Sequence, residues 1–283
     1  MINKREIEEK FFILLMKLTS FMIVFIILVI ITSIIIKGFS SLSLTMLTQT
    51  PKGGYYLGNE GGILNAIIGS FYLAGGATLL ATIFGIPVVM LLHVYLRKDS
   101  KVSSIIRLCF DVLWGIPSIV YGAFGFTLMI IFGFHASLLS GIIIIAILIL
   151  PILVRAIDEI SMTIPDGLTH ATLSLGATKL ENGMKVMTRQ ILPGILTAIL
   201  IAFGRAIGDA AAVLFTTGYS DSIPTSLNQS AATLPLAIFF QLSSPIKEVE
   251  NRAFAAALVL TVIILLVSLI SRLLTNKYNK YKI

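Results

Sequence analysis

Charge is scarce in this chain. Asp, Glu, Lys and Arg together make up 12% of its 283 residues, about half the share found in soluble domains. Cysteine is nearly missing: Cys109 stands alone, which excludes an internal disulfide and a cysteine-rich metal centre. The dipeptide Gly-Lys does not occur, so there is no P-loop and no ATP binding by that device. The histidines (His93, His135 and His170) fall on separate segments, and His-Glu-x-x-His is absent, as is the Gly-x-Ser-x-Gly elbow. The signatures of soluble hydrolases and metalloenzymes are therefore missing. Work done across a membrane would have to draw on a gradient or on another subunit.

What is abundant is apolar sequence. Hydrophobic residues make up 57% of the chain and the mean hydropathy is +0.97. A helix needs about 20 apolar residues to cross the hydrocarbon. Six stretches meet that length, over residues 18–36, 63–92, 105–132, 138–154, 191–217 and 253–274. None alternates as a barrel strand does. The reading is an all-α membrane protein with six transmembrane helices. Lys4, Arg5 and Lys10 precede the first run like a signal peptide, but the run ends Thr32-Ser33-Ile34-Ile35-Ile36-Lys37 without a small-residue cleavage site. An uncleaved first helix is expected.

The net charge of +7 raises the question of nucleic acid, yet the basic residues sit in short groups beside the apolar runs. Sixteen Lys and Arg fall in the two termini and the even-numbered loops, against four (Lys37, Lys52, Lys247 and Arg252) in the odd-numbered loops. That asymmetry predicts cytoplasmic termini and cytoplasmic even loops, with no nucleic-acid partner. Glycine and proline inside the runs (Pro87, Gly115-Ile116-Pro117, Pro151) predict kinks or close packing. Two connections are long enough to carry function. The outer one, 218–252, contains Leu234-Pro235-Leu236-Ala237-Ile238-Phe239-Phe240, too short to span and expected at the membrane surface. The inner one, 155–190, reads as short helices, with Asp166 capping one and Gly176 breaking the run.

The remaining cation, Arg205, lies inside the fifth run, in Gly204-Arg205-Ala206-Ile207-Gly208-Asp209. Arg205 and Asp209, at i and i+4, share one helix face. Burying an arginine at mid-membrane costs at least about 2.5–3.5 kcal/mol, so it should face protein or water and have a use. One reading is an ion pair that locks helices together. The other is an anion contact in a translocation path, with the guanidinium forked onto an oxyanion and Asp209 orienting it. Arg155, after Pro151, reads by itself as a snorkelling arginine at the inner interface.

Within the inner connection, His170-Ala171-Thr172-Leu173-Ser174-Leu175-Gly176-Ala177 resembles the Glu-Ala-Ala-x-x-x-Gly motif of ABC-importer permeases. Together with Gly61-Gly62-Ile63-Leu64-Asn65, Gly115-Ile116-Pro117-Ser118, Leu150-Pro151-Ile152-Leu153-Val154-Arg155 and Gly204-Arg205-Ala206-Ile207-Gly208-Asp209-Ala210, it resembles the PstA-type phosphate permeases, in the family's order from about residue 40 onward. His170 stands where the motif has glutamate, and Thr172 where it has a second alanine. Thr188-Arg189 replaces an expected Leu-Pro, and Asp209 a glutamate.

The resemblance implies a single permease domain over the whole chain, of the type I importer (MetI-like) architecture, with an extra first helix before the core. It implies that Arg205, Asp209 and Arg155 line the anion path, and that His170, Ala171, Thr172, Gly176 and Ala177 dock on an ATPase. The partners it implies are a second, PstC-like permease, a cytoplasmic PstB-like ATPase dimer, an extracytoplasmic phosphate-binding protein, inorganic phosphate and membrane lipid. No cofactor or metal is expected in this chain, which would be a non-catalytic subunit in a prokaryotic cell membrane. Sulfate or molybdate in place of phosphate, an ATP-independent secondary transporter, and a regulatory subunit remain as alternatives.

Overall fold

The computed structural model describes residues 4–52, 61–96 and 100–279, and every element of more than one residue among them is helical. Arg97, Lys98, Lys280 and Lys282, which entered the charge count, lie outside the described residues, as do the side chains of Lys4 and Lys277. Five helices are long and apolar enough to span a membrane, and a sixth span is formed if one bent pair is counted as one. The centre is α3 (Leu64–Met90), α6 (Leu138–Ser161) and α9 (Thr188–Ile207), which all pack on one another. Ala74, Ala77 and Ala81 of α3, Ile145, Ile149 and Leu153 of α6, and Ala198, Ala202 and Ala206 of α9 are buried in one cluster. Alanine at i, i+4 and i+8 on α9 lets the helix backbones approach, which is how packing is gained where lipid offers no hydrophobic drive. Burial is graded, with 61% of α6's apolar window inside the protein and 0% of that of α1 (Lys4–Ser41).

The third run does not form one straight helix. It divides into α4 (Lys101–Gly115) and α5 (Ser118–Phe132), bent by 97° at the predicted Gly115-Ile116-Pro117 break. Pro117 precedes α5 with extended backbone, and the Tyr121 hydroxyl donates at 2.8 Å to the Leu113 carbonyl, which also accepts the Ile116 amide at the end of α4. α4 exposes Val102, Ile105, Leu108 and Val112 along one stripe, while Arg107 and Asp111 bond inward to α6.

The fifth run is displaced as a helix from where its composition predicts, starting earlier and ending earlier. α9 stops at Ile207, preceded by α8 (Lys179–Glu181) and a π-helical turn over Asn182–Met187, so the span is Lys179–Ile207 rather than 191–217. Residues 208–217 continue as buried turns: Thr216 and Thr217 are fully buried and their hydroxyls donate to the carbonyls of Ala212 and Val213. The outer connection then seals the start of α6, whose Leu138 and Leu139 amides donate to the carbonyls of Gln229 and Leu227, both at 2.8 Å. The short apolar segment predicted at the membrane surface is α10 (Leu234–Leu242), whose first half is buried in the protein while Phe239 and Leu242 stay exposed. Leu234, Leu236 and Ala237 are buried against α3 and α11 (Lys247–Asn279), and Ser70 of α3 accepts from the Leu234 amide at 2.8 Å. A groove between two long helices, invisible in local sequence, takes the face that would otherwise have met lipid.

α1 packs on α11. At Gly38 the contact leaves no room: a Cβ there would lie 2.7 Å from the Phe254 carbonyl oxygen and 2.8 Å from Leu258 Cβ. Beside it the Lys37 ammonium sits 4.4 Å above the Phe254 ring. Gly38→Leu is therefore expected to weaken docking of α1 by about 1–3 kcal/mol, the usual range for overpacking. Limited proteolysis in detergent should show faster cutting between α1 and α3, with the melting temperature of the remaining bundle changed little.

Candidate functional site

Arg205 sits in the last turn of α9, where a cation meets the negative end of the helix dipole. Its Nη2 lies 3.2 Å from Asp209 Oδ2; the carboxylate is 2% exposed and the guanidinium side chain 48%. Asp209 follows the helix end at Gly208, and its other oxygen, Oδ1, accepts from the Ala212 amide at 2.9 Å. One buried carboxylate thus caps the turns after α9 and fixes the arginine before them. Nothing approaches a Cβ built on Gly204 within 4 Å, and only Ile264 Cδ1 at 3.7 Å and the Gly204 carbonyl at 3.5 Å approach one on Gly208. This face of the helix is open. The guanidinium has further N–H donors beyond the one directed at Asp209, in a geometry that matches an oxyanion.

The structure does not group Arg155 with that pair. Arg155, on α6, donates from Nη1 to Asp158 Oδ2 at 3.4 Å, and makes ion pairs without hydrogen-bond geometry to Asp111 (Nε to Oδ1, 2.9 Å) and Glu159 (Nη2 to Oε1, 3.7 Å). Asp158 is fully buried and also accepts from Arg107 Nε at 2.9 Å and Nη2 at 3.1 Å, and bonds His93 Nε2 at 2.6 Å. Local sequence gives only part of this cluster: Asp158 lies three positions after Arg155, while His93 and Arg107 come from other segments.

The motif in the inner connection forms α7 (Asp166–Ser174), a break, and α8. Asp166 is the first residue of α7 rather than its cap, which is Pro165. The Gly176 amide donates to the Leu173 carbonyl at 3.0 Å and the Ala177 amide to the Thr172 carbonyl at 3.4 Å, with Gly176 at φ +84°. This is a Schellman ending, and its left-handed residue costs a side chain roughly 1–2 kcal/mol but glycine nothing. Thr178 and Glu181 then form a reciprocal capping box that starts α8. His170 and Ala171 are exposed, Thr172 and Ala177 half-buried, and Leu175 is 89% exposed at the tip. The result is a rigid helix–break–helix whose apolar tip is presented outward.

A bundle with a broken third span, an open arginine at the end of a central helix and an outward helix–break–helix is the layout of a transmembrane permease subunit. The family model for the binding-protein-dependent transport system inner membrane component matches residues 81–280. The phosphate transport system permease protein PstA of Haemophilus influenzae is 34% identical over 242 residues, covering 85% of this chain and 84% of that one. The protein of the same name from Xylella fastidiosa strain 9a5c is 36% identical over 252 residues, 87% and 85% of the two chains. That from Pasteurella multocida is 31% identical over 276 residues, 98% and 97%. The chain belongs to this family of inner membrane components and, within it, to the PstA-type permeases. It is a multi-pass membrane protein and a non-catalytic transport subunit. An inward-facing structure of the MetNI methionine ABC transporter shares the fold, with TM-score 0.60 at 18% identity over 76% of this chain and 95% of that one.

Asp209→Ala leaves the fully buried Ala212 amide without its acceptor, a loss of about 1–3 kcal/mol. Asp209→Asn keeps an oxygen for that amide and removes only the charge. Thermal unfolding in detergent should therefore rank the wild type and Asp209→Asn close together, with Asp209→Ala well below.

Proposed function

We propose that this chain is the transmembrane permease subunit of an ATP-driven phosphate importer, forming half of the anion pathway. The observation that carries this reading is Arg205: half-exposed, on an open helix face, and held by a buried carboxylate that leaves most of its donors unused. The choice of phosphate among oxyanions is supported by the names of the relatives, phosphate transport system permease proteins.

The end of the bundle that bears α7 faces the cytoplasm, a reading supported by the sixteen-to-four charge count. An extracytoplasmic binding protein delivers phosphate near the 218–252 connection, and a second, PstC-like permease supplies the other wall of the path. Phosphate meets Arg205 in passing, with Asp209 holding the guanidinium so that little ordering is needed when the anion arrives. Arg155 forms the inner contact as its exposed partners Asp111 and Glu159 release it. His170, Ala171, Thr172, Gly176 and Ala177 dock on a PstB-like ATPase dimer, and closure of that dimer is transmitted through 169–185 to switch the helices between outward- and inward-open states. This chain supplies no cofactor.

The first test is recovery of the tagged chain from native membranes in mild detergent, with its stoichiometric partners read by mass. An ATPase and a second permease are expected; recovery alone or as a homo-oligomer would contradict the importer assignment. With the complex in hand, Arg205→Gln should lower phosphate uptake by at least about tenfold, since a contact to a charged group contributes about 1.5–3 kcal/mol. Uptake equal to wild type would remove Arg205 from the path.

A further inference from the structure

Asp158 has no exposed surface, and its donors come from three elements. His93 lies on a π-helical turn, Leu91–Tyr95, that continues α3; Arg107 lies on α4; Arg155 lies one turn back on α6 itself. A buried charge cluster is weak evidence for stability, because apolar side chains of the same volume do as well or better. Its use must be sought in what it connects.

The π-turn that carries His93 meets the second π-turn, Asn182–Met187. A Cβ on Gly183 would lie 2.7 Å from Val94 Cγ2 and 3.3 Å from Met90 Sδ, so the two turns touch with no side chain between them on one side. Single π-turns inside helices occur mostly at functional sites. The second turn runs directly on from α8 and also touches α7. A contiguous path therefore leads from the outward helix–break–helix to Gly183, Val94 and His93, and from the imidazole across a 2.6 Å bond to Asp158.

We infer that His93 and Asp158 are positioning residues that carry displacement of the ATPase-docking segment to Arg155, so that the docking segment, both π-turns and the inner end of α6 move as one body. The inference rests on the reading of 169–185 as the coupling segment. Cluster and path divide the labour. The apolar Val94–Gly183 contact transmits a push, and the His93–Asp158 bond keeps α6 in register with the turn that is pushed. Arg107 ties the same carboxylate to α4, so the bent third span follows.

The test uses the complete transporter in liposomes with its binding protein, reading phosphate transported per ATP hydrolysed. His93→Ala should lower that ratio about tenfold, within the 5–150-fold range of allosteric couplings, in a complex that still assembles. His93→Gln, which restores an N–H to Asp158, should keep the ratio near wild type. A wild-type ratio in His93→Ala, or failure of His93→Gln to rescue, overturns the inference and leaves the importer assignment standing. Absence of phosphate transport by the unaltered complex would sink the importer assignment instead.

Should His93→Ala not assemble, a cross-link decides. A Cβ on Gly183 would be 3.7 Å from Val94 Cβ, inside the roughly 3.5–4.5 Å range of disulfides. Val94→Cys with Gly183→Cys, on a Cys109→Ser background, should transport equally well oxidised and reduced. Loss of transport on oxidation, restored by reductant, would show that the turns slide past each other and would overturn the inference.

Discussion

In hydrocarbon, a backbone N–H or C=O that leaves the helical ladder must find its partner inside the protein. Among the described residues the chain leaves the ladder at 115–117, inside the bent third span, and at 208–217, directly after the fifth, and much of the structure follows from how those breaks are satisfied. At the first, a tyrosine hydroxyl on the next helix reaches back to a carbonyl of the one before. At the second, Asp209 takes the Ala212 amide, while Thr216 and Thr217 turn their hydroxyls onto carbonyls one turn earlier. The second solution has a by-product. A carboxylate recruited to close the backbone is a buried charge that needs a cation, and Arg205 supplies it from the last turn of the helix. Structural ion pair and anion contact, opposed as readings of the sequence, are compatible: the ion pair uses one edge of the guanidinium, and under the proposed function the other edge would take the anion.

The two arginines show opposite electrostatics. Arg205 has one carboxylate and an open face, whereas Arg155 has three carboxylates within 4 Å. An anion can join the first without displacing anything, but must compete with fixed negative charge at the second. That difference suits a path in which no point holds its cargo tightly, since a site with uncontested cations at both depths would bind well and release slowly.

Legibility followed the range of the interaction. Apolar runs are local, and all six were visible, because length and hydropathy are the whole of that signal. The break at Gly115-Ile116-Pro117 was legible as a kink because proline removes a donor at a known position. The end of α9 was not: Ala210-Ala211-Ala212-Val213-Leu214 has good helix formers, and only tertiary hydrogen bonds make turns of it. The burial of α10's first half was not legible, because its partner groove is made by α3 and α11, remote in sequence. The Gly176 ending was readable from one residue, while the Asp158 cluster also joins side chains 51 and 65 positions apart, and only its Arg155 contact is local. Arg155 was singled out, but its acidic company was not.

The first helix invites a different comparison. The match to the family model begins at residue 81, and α1 lies wholly before it. Glu8–Ser41 has 0% of its apolar window buried, while at Gly38 it fits α11 with no space to spare. Lipid imposes no shape on most of this helix, so one apolar residue there serves as well as another. Its information content is therefore concentrated in a single turn: elsewhere α1 is specified by composition, and only around Gly38 does the order of its letters matter.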